Sequence, residues 1–399
     1  MKQAKGLLFF ALFNSIVGFS ILFPILAPLS RSLGLSEVQV GWLATSYSLM
    51  QFIGSPYFGR LSERVGRKPV LLLGVVGFAV SFGSFGVVAK MGEAGLFHPA
   101  TLFALLLAAR VLGGLLSSAT LPAAQAYIAD LTDRKDRAAG MALVGAAFGL
   151  GIIFGPIIGA LLSRFGLLVP IWTSMGLALL NALFIAQRLP STHPKPVRAA
   201  SAVEGVLRRT LPTLALAFVT VIASVAMEQT IAFLYQDTLR LDARSTARFV
   251  GLALGLYGTF AVLAQGLLAR RVKWSPVVLM RIGVVIGMFG FVGLVLARSI
   301  TMLSIAMALQ GLGYGLAMPG ISALLSLSAE DHEQGEVAGL NSATQALGRT
   351  VGPLLGTSLY KLNPRYPYMF SLLMLAAVMG ILVLGSRWRK FSSATTHAQ

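Results

Sequence analysis

Long apolar runs separated by short ionic breaks fill the chain from end to end. Uncharged runs of about 20 residues span a bilayer, so ionic stretches this short between them must turn at a membrane surface. Breaking the runs at charges, Pro and Gly predicts twelve helical segments, near 6–29, 38–58, 69–89, 99–122, 138–163, 166–187, 210–235, 247–269, 275–297, 299–326, 336–360 and 366–386. One break, Gly59 to Lys68, packs four cations and one acid into ten residues. Gly59 is expected to let two helices approach closely, and Gly66 to allow the reversal that Arg67, Lys68 and Pro69 close. The fold class is therefore an all-α membrane protein.

An even number of spans puts both termini on one side, and Lys and Arg decide which. With the termini and the even-numbered loops on one face, that face holds 20 cations and the other nine, while Arg110, Arg281 and Arg349 fall inside segments. Both termini are expected in the cytoplasm. The longest polar break, 188–209, contains Pro190, Pro194, Pro196, Arg208 and Arg209, which suits a flexible linker. It divides the chain into a six-helix lobe at 1–187, a cytoplasmic linker at 188–209, and a second six-helix lobe with a short cytoplasmic tail at 210–399.

Those lobes look related. A shift of 197 positions lays Gly114 on Gly311, Pro122 on Pro319, and the run Gly155 to Gly159 on Gly352 to Gly356. Duplication of a six-helix unit is a transporter plan, with the substrate site near the midplane.

Composition narrows the classes further. The 399 residues are 56% hydrophobic and 12% charged, about half the charged share of a soluble protein. The net charge of +18 brings no nucleic-acid reading, because there is no soluble domain to carry a basic face. With no cysteine, there is neither a disulfide framework nor a Cys-based metal site. His98, His193, His332 and His397 all fall in breaks or at edges. The first apolar run, from Gly6, lacks a small-residue cleavage site and reads as a retained helix. There is no GxxxxGK[ST], HExxH or GxSxG and no pair of intramembrane acids, so neither ATP hydrolysis nor an intramembrane enzyme is expected. No metal or cofactor is called for, and an ion gradient is left as the energy source.

The motifs resemble a family. Gly59-Arg60-Leu61-Ser62-Glu63-Arg64-Val65-Gly66-Arg67-Lys68 is similar to the signature loop of the major facilitator superfamily, with Glu63 in place of the commoner Asp. Leu106, Arg110 and Gly114 resemble its helix 4 motif, and Gly145, Gly149, Gly155, Pro156 and Gly159 its exporter-associated helix 5 motif. Together with Ala126 to Asp133, they resemble the twelve-helix drug/proton antiporters that include tetracycline efflux pumps. The resemblance covers essentially the whole chain. It implies the major facilitator fold: twelve transmembrane helices in two pseudo-symmetric lobes, in a bacterial inner membrane.

It also implies roles, each beside a plainer reading. Gly59, Glu63, Arg64, Gly66, Arg67 and Asp130 would form a gating latch, or a solvated turn whose cations only set topology. Asp133 and Asp136 would join it or remain exposed. Gly155 and Pro156 would stiffen helix 5 for gating, and small residues there also simply let helices pack. Arg110, mid-segment, costs at least roughly 2.5–3.5 kcal/mol unless it faces a polar environment. The resemblance gives it to proton coupling or substrate contact, the plainer reading to carbonyls and to Gln125 or Asn14.

Glu228 is the one acid in the interior of a predicted segment; the other thirteen lie in loops, in the linker or at segment ends. An intramembrane carboxyl can take up and release a proton, so Glu228 is the candidate proton carrier. It would otherwise be a fixed partner for Arg349 or Arg281, or a direct binder of cationic substrates. Tetracycline pumps carry an acid in helix 1, whereas this chain has Asn14 and Ser15 there. The resemblance places helices 1, 4, 7 and 10 around the cavity, which makes Asn14, Phe23, Gln125, Gln229, Tyr235, Gln310 and Tyr314 candidate substrate-binding residues. Arg349 is expected to be buried, in a structural or gating role.

The expected function is proton-coupled export of small amphipathic compounds by alternating access, in a monomer. Export of an anionic metabolite or siderophore, with Arg110 and Arg349 as binding groups, is the alternative.

Overall fold

The computed structural model describes residues 2–131, 137–191, 203–268, 274–330 and 333–384, and every regular element among them is helical. The first span is α1 (Lys2–Ser20) followed by α2 (Phe23–Ser32), and the next two are α3 (Glu37–Val65) and α4 (Arg67–Glu93). The fourth is α5 (Pro99–Ser117) with α6 (Thr120–Leu131), and α7 (Arg137–Ser163) and α8 (Val169–Arg188) complete the first six spans. The second six are α9 (Val203–Leu239), α10 (Ala243–Leu263, continued by a π turn at Ala264–Leu268), α11 (Pro276–Leu296), α12 (Ile300–Leu327), α13 (Gln334–Leu362) and α14 (Tyr366–Leu384). These are the twelve transmembrane helices of the major facilitator fold, in two pseudo-symmetric sets.

Ten of the twelve spans are long and apolar enough to cross a membrane on length and composition alone. The other two, α3 and α13, are each 29 residues long but carry more polar side chains. Local chemistry sets the ends. Ser36 and Gln39 form a reciprocal capping box on α3, and Ser275 and Ser299 cap α11 and α12. Gly66, at φ 98°, makes the turn between α3 and α4 in a conformation that side chains disfavour.

Proline acts unevenly. The first span breaks at Ile21–Leu22, just before Pro24, and the fourth at Ser118–Ala119, just before Pro122; each proline lacks the N–H that would continue the ladder. Pro319 lies inside an uninterrupted α12.

At the expected linker, α8 runs to Arg188 and α9 begins at Val203, so the linker's last seven residues are helical. Arg209 anchors this first part of α9 by ion pairs to Glu333 and, at 3.6 Å, to Glu330.

The chain divides into two compact units, Met1–Val197 with Leu241–Gly255, and Arg198–Arg240 with Leu256–Gln399. The division falls within α10. Each unit repeats the same close helix contacts. In the first, added Cβ atoms at Gly151, Gly155 and Gly159 of α7 would meet Ile16, Ser20 and Ile21 within 2.6 Å. In the second, added Cβ atoms at Gly348, Gly352 and Gly356 of α13 would meet Val221, Val225 and Ala226 within 2.9 Å. Shifts of 197 and 205 relate the two sets residue by residue. Likewise a Cβ at Gly114 would run into the Tyr47 carbonyl and one at Gly311 into the Tyr257 carbonyl, and Gly74 faces Thr120 as Gly283 faces Ala317.

Candidate functional site

In the second unit, Glu228 of α9 is the centre of a polar cluster. Ser224, one turn before it, donates to the Glu228 Oε1 at 2.9 Å and shares a 2.8 Å hydrogen bond with the Tyr257 hydroxyl. Tyr257 also hydrogen-bonds the carboxyl. Arg349 of α13 acts on Glu228 electrostatically and hydrogen-bonds Tyr314 of α12, whose ring lies 6.3 Å from that of Tyr257. Four helices thus converge on one half-buried carboxyl. This arrangement can hold a carboxylate by an arginine and hydroxyls, or hold its protonated form by hydroxyls alone.

Of the partners left open for Glu228, Arg349 is the one found. Arg281 instead donates to the Leu382 carbonyl near the end of α14. Arg349 itself is exposed rather than buried. It lies midway along α13, on an exposed face of that helix beside Glu228 and Tyr314.

The first unit carries a different cluster at related positions. Arg110 is buried, donates from Nε to the Leu43 carbonyl at 3.2 Å, and lies 4.2 Å over the Tyr47 ring. Tyr47 is hydrogen-bonded to Ser117 at 2.8 Å and stacks on Phe19 at 5.4 Å, and Phe19 meets Phe23 edge-on at 5.1 Å. Gln51 adds weaker hydrogen bonds to Tyr47 and Ser117, both at 3.4 Å. The shifts that relate the units place Phe19 where Ser224 stands, Phe23 where Glu228 stands, Tyr47 at Tyr257 and Ser117 at Tyr314.

The signature loop forms a clasp within the first unit. Buried Arg67 reaches Asp130 at 3.1 Å and Ser62 Oγ at 2.7 Å, and Ser62 donates to the Gly59 carbonyl at 2.7 Å. Arg64 is exposed, and Glu63 has no ion-pair partner among the described residues. Asp133 and Asp136 lie outside the described residues. Gly59 makes no close approach: a Cβ there would meet only Pro122, at 3.8 Å, because α3 and α6 are already at ordinary contact distance. In α7, Gly145 faces open space, and Gly151 takes the packing place that spacing alone had given to it. Pro156 and Ala160 of the same helix receive Gly251 of α10, whose Cβ would come within 2.5 Å of either.

The remaining candidates are dispersed. Asn14 lines a cavity of about 360 Å³ between α1 and α8 with Phe10, Ala11, Leu180, Asn181 and Phe184. Gln125 and Gln229 are half-buried. Tyr235 is fully buried, with a long 3.4 Å contact to Ser304, and Gln310 donates to the Gly287 carbonyl at 2.8 Å. Sequence reasoning missed Ser224, Tyr257 and Tyr47. Ser224 lies four residues before Glu228, hence on its face of the helix, and the internal repeat relates the two tyrosines. Among the described residues, no three His, Asp or Glu are grouped to hold a metal ion.

Known proteins bear on this arrangement. Multidrug resistance protein 2 of Bacillus subtilis (strain 168) is 27% identical over 94% of this chain and 92% of its own length. Tetracycline resistance protein, class C, of Escherichia coli is 30% identical over 86% of both chains. The crystal structure of the human organic anion transporter MFSD10 (TETRAN) aligns with a TM-score of 0.67 at 22% identity, covering 96% of this chain and 99% of that one. The sequence profile of the Major Facilitator Superfamily matches residues 8–301 and 217–397. With its twelve spans in two related sets, the chain belongs to the Major Facilitator Superfamily, a multi-pass membrane transporter of small molecules rather than an enzyme.

Proposed function

We propose that the protein is a proton-coupled exporter of small amphipathic compounds, working by alternating access in a bacterial inner membrane with both termini cytoplasmic. The observation that carries this reading is the Glu228 cluster. One acid, held by two hydroxyls and opposed by the exposed Arg349, has a partner set for each of its protonation states. The similarity to multidrug and tetracycline resistance proteins supports export as the direction and drug-like compounds as the substrates.

In this reading Glu228 carries the proton. Arg110 is the fixed cation of the first unit, holding the buried Tyr47 on which Phe19 stacks, with Phe19 and Phe23 offered to a flat apolar substrate. The half-buried Gln125, Gln229 and Tyr314 supply polar and aromatic surface, while the buried Tyr235 and Gln310 act from within the packing of the second unit. Asn14 contributes from its own cavity. The Arg67–Asp130–Ser62 clasp with Gly59, Glu63, Arg64 and Gly66, together with Gly155, Pro156 and Arg349, does the gating. Each chain holds both units, so the monomer suffices.

A second reading has one specific support. Arg349 is exposed, and an organic anion would pair with it in place of Glu228; the transporter MFSD10, described as carrying organic anions, shares the fold.

Everted membrane vesicles with a pH-sensitive dye separate the two. Lipophilic cations, neutral drugs and organic anions are added in turn to vesicles carrying the wild type or Glu228→Gln. Dissipation of the proton gradient by cations or neutral drugs in the wild type alone is the expected result. A response to anions alone establishes the second reading, and equal responses in both proteins sink Glu228 as the carrier.

A further inference from the structure

The internal repeat shows where the second unit departs from the first in its interior. The shift of 209 that carries Gly74 onto Gly283 carries Phe78 onto Gly287, Ser81 onto Gly290 and Phe82 onto Phe291. In the first unit the Phe78 ring stacks on Phe82 at 4.2 Å and presses to within 3.3 Å of where Gly18 would carry a Cβ. In the second unit no ring occupies that place. Gly287 faces a partly open cavity of about 20 Å³, lined by Thr220, Ser224, Phe291, Gln310, Tyr314 and Leu375 among others.

That volume is about what one water molecule needs, and water is retained inside proteins only where two to four polar partners meet it. The lining provides them. Gln310 spends its Nε2 on the Gly287 carbonyl and keeps Oε1 as an acceptor, while Thr220 donates to the Leu216 carbonyl and keeps its lone pairs. The Tyr314 hydroxyl accepts from Arg349 and keeps its proton to donate. Ser224 joins the cavity to Glu228. At the matching place for Gln310 the first unit has Gly113, whose space is taken by Ser81.

We propose that the second unit holds a structural water in this cavity, bonded to Gln310, Thr220 and Tyr314, which extends the hydrogen-bond network of Glu228 into the interior of the helix bundle. The water is a fixed part of the second unit and has no counterpart in the first. This site stands on its geometry whether or not Glu228 carries a transported proton.

Radiolytic hydroxyl labelling of the full-length protein in nanodiscs, with mixing into ¹⁸O water, tests it. A held water labels its neighbours and exchanges slowly. In the wild type, Phe291, Tyr314 and Leu375 should be labelled at least severalfold more than Phe78 and Phe82, with slow ¹⁸O incorporation. Gly287→Ala should reduce that labelling severalfold; its Cβ has only the flexible Leu375 Cδ1 at 3.2 Å to displace. Gln310→Leu, which removes a polar partner without a charge, should abolish the slow phase. Labelling in the wild type no stronger than at Phe82, or exchange at the rate of bulk water, overturns the proposal without reference to either variant.

Discussion

The two units share a scaffold and differ in what it displays. Both close a tyrosine-bearing helix onto a glycine, Tyr47 on Gly114 and Tyr257 on Gly311, and both stack a glycine ladder on the first helix of their set. On that common frame the first unit sets Phe19, Phe23 and a buried arginine, a cluster without an acid. The second sets Ser224, Glu228 and Tyr314 with an exposed arginine. Packing contacts are thus repeated where helices must approach, and side chains diverge where the chain has chemistry to do. Our reading divides the labour accordingly: aromatic surface in one unit, proton chemistry in the other.

The largest effect expected from testing this division is at Glu228. Glu228→Gln keeps the hydrogen-bonding shape but has no proton to exchange, so gradient-driven transport should fall more than tenfold while the purified protein stays folded, as judged by its thermal midpoint. Arg67→Ala comes next, because it leaves Asp130 without its partner at a nearly buried site. Losing one member of such a pair typically costs about 3–5 kcal/mol, so the thermal midpoint should drop clearly, and Asp130→Asn should drop it less.

Glycine substitutions then ask whether the scaffold is as symmetric as it looks. Gly114→Ala and Gly311→Ala each drive a methyl into a tyrosine backbone, and both should lower stability by about 1–3 kcal/mol. Gly59→Ala, with 3.8 Å of room, should be neutral. Thermal denaturation of the three variants side by side decides it, and a neutral Gly311→Ala alone would break the symmetry.

The smallest effect is outside the spans, at exposed Asp242. Ser245, through its hydroxyl and its backbone N–H, holds this carboxyl below the usual carboxylate range. A depressed folded-state value means that the stabilisation is present above the unfolded value near about 4 and is lost as pH falls through the folded one. Solvent screening keeps it small. Asp242→Ala should therefore lower the thermal midpoint by roughly 1–2 °C at neutral pH, and the gap should close in strong acid.

Much of this was legible in the sequence, for physical reasons. Charges are expensive in a bilayer, so their positions marked the spans, singled out Glu228 and drew attention to the signature loop. Glycines repeated in register gave the duplication, because only they permit such close helix contacts. Burial was harder to read. In a membrane the lipid-facing and core-facing sides of a helix are both apolar, so pattern could not say that Arg349 is exposed, that Asn14 sits between α1 and α8, or that Gly151 rather than Gly145 packs. Nor could it reveal Phe78 and Gly287 as counterparts, which needed the contacts that fix the register of the third span.

The central claim, that Glu228 couples transport to protons, is tested most directly in proteoliposomes by comparing substrate exchange at equal pH with accumulation driven by an imposed pH gradient. The substrate is the compound found active in the vesicle screen. The account predicts that Glu228→Gln exchanges at close to the wild-type rate and accumulates nothing in response to the gradient. Gradient-driven accumulation by Glu228→Gln at the wild-type level would contradict it.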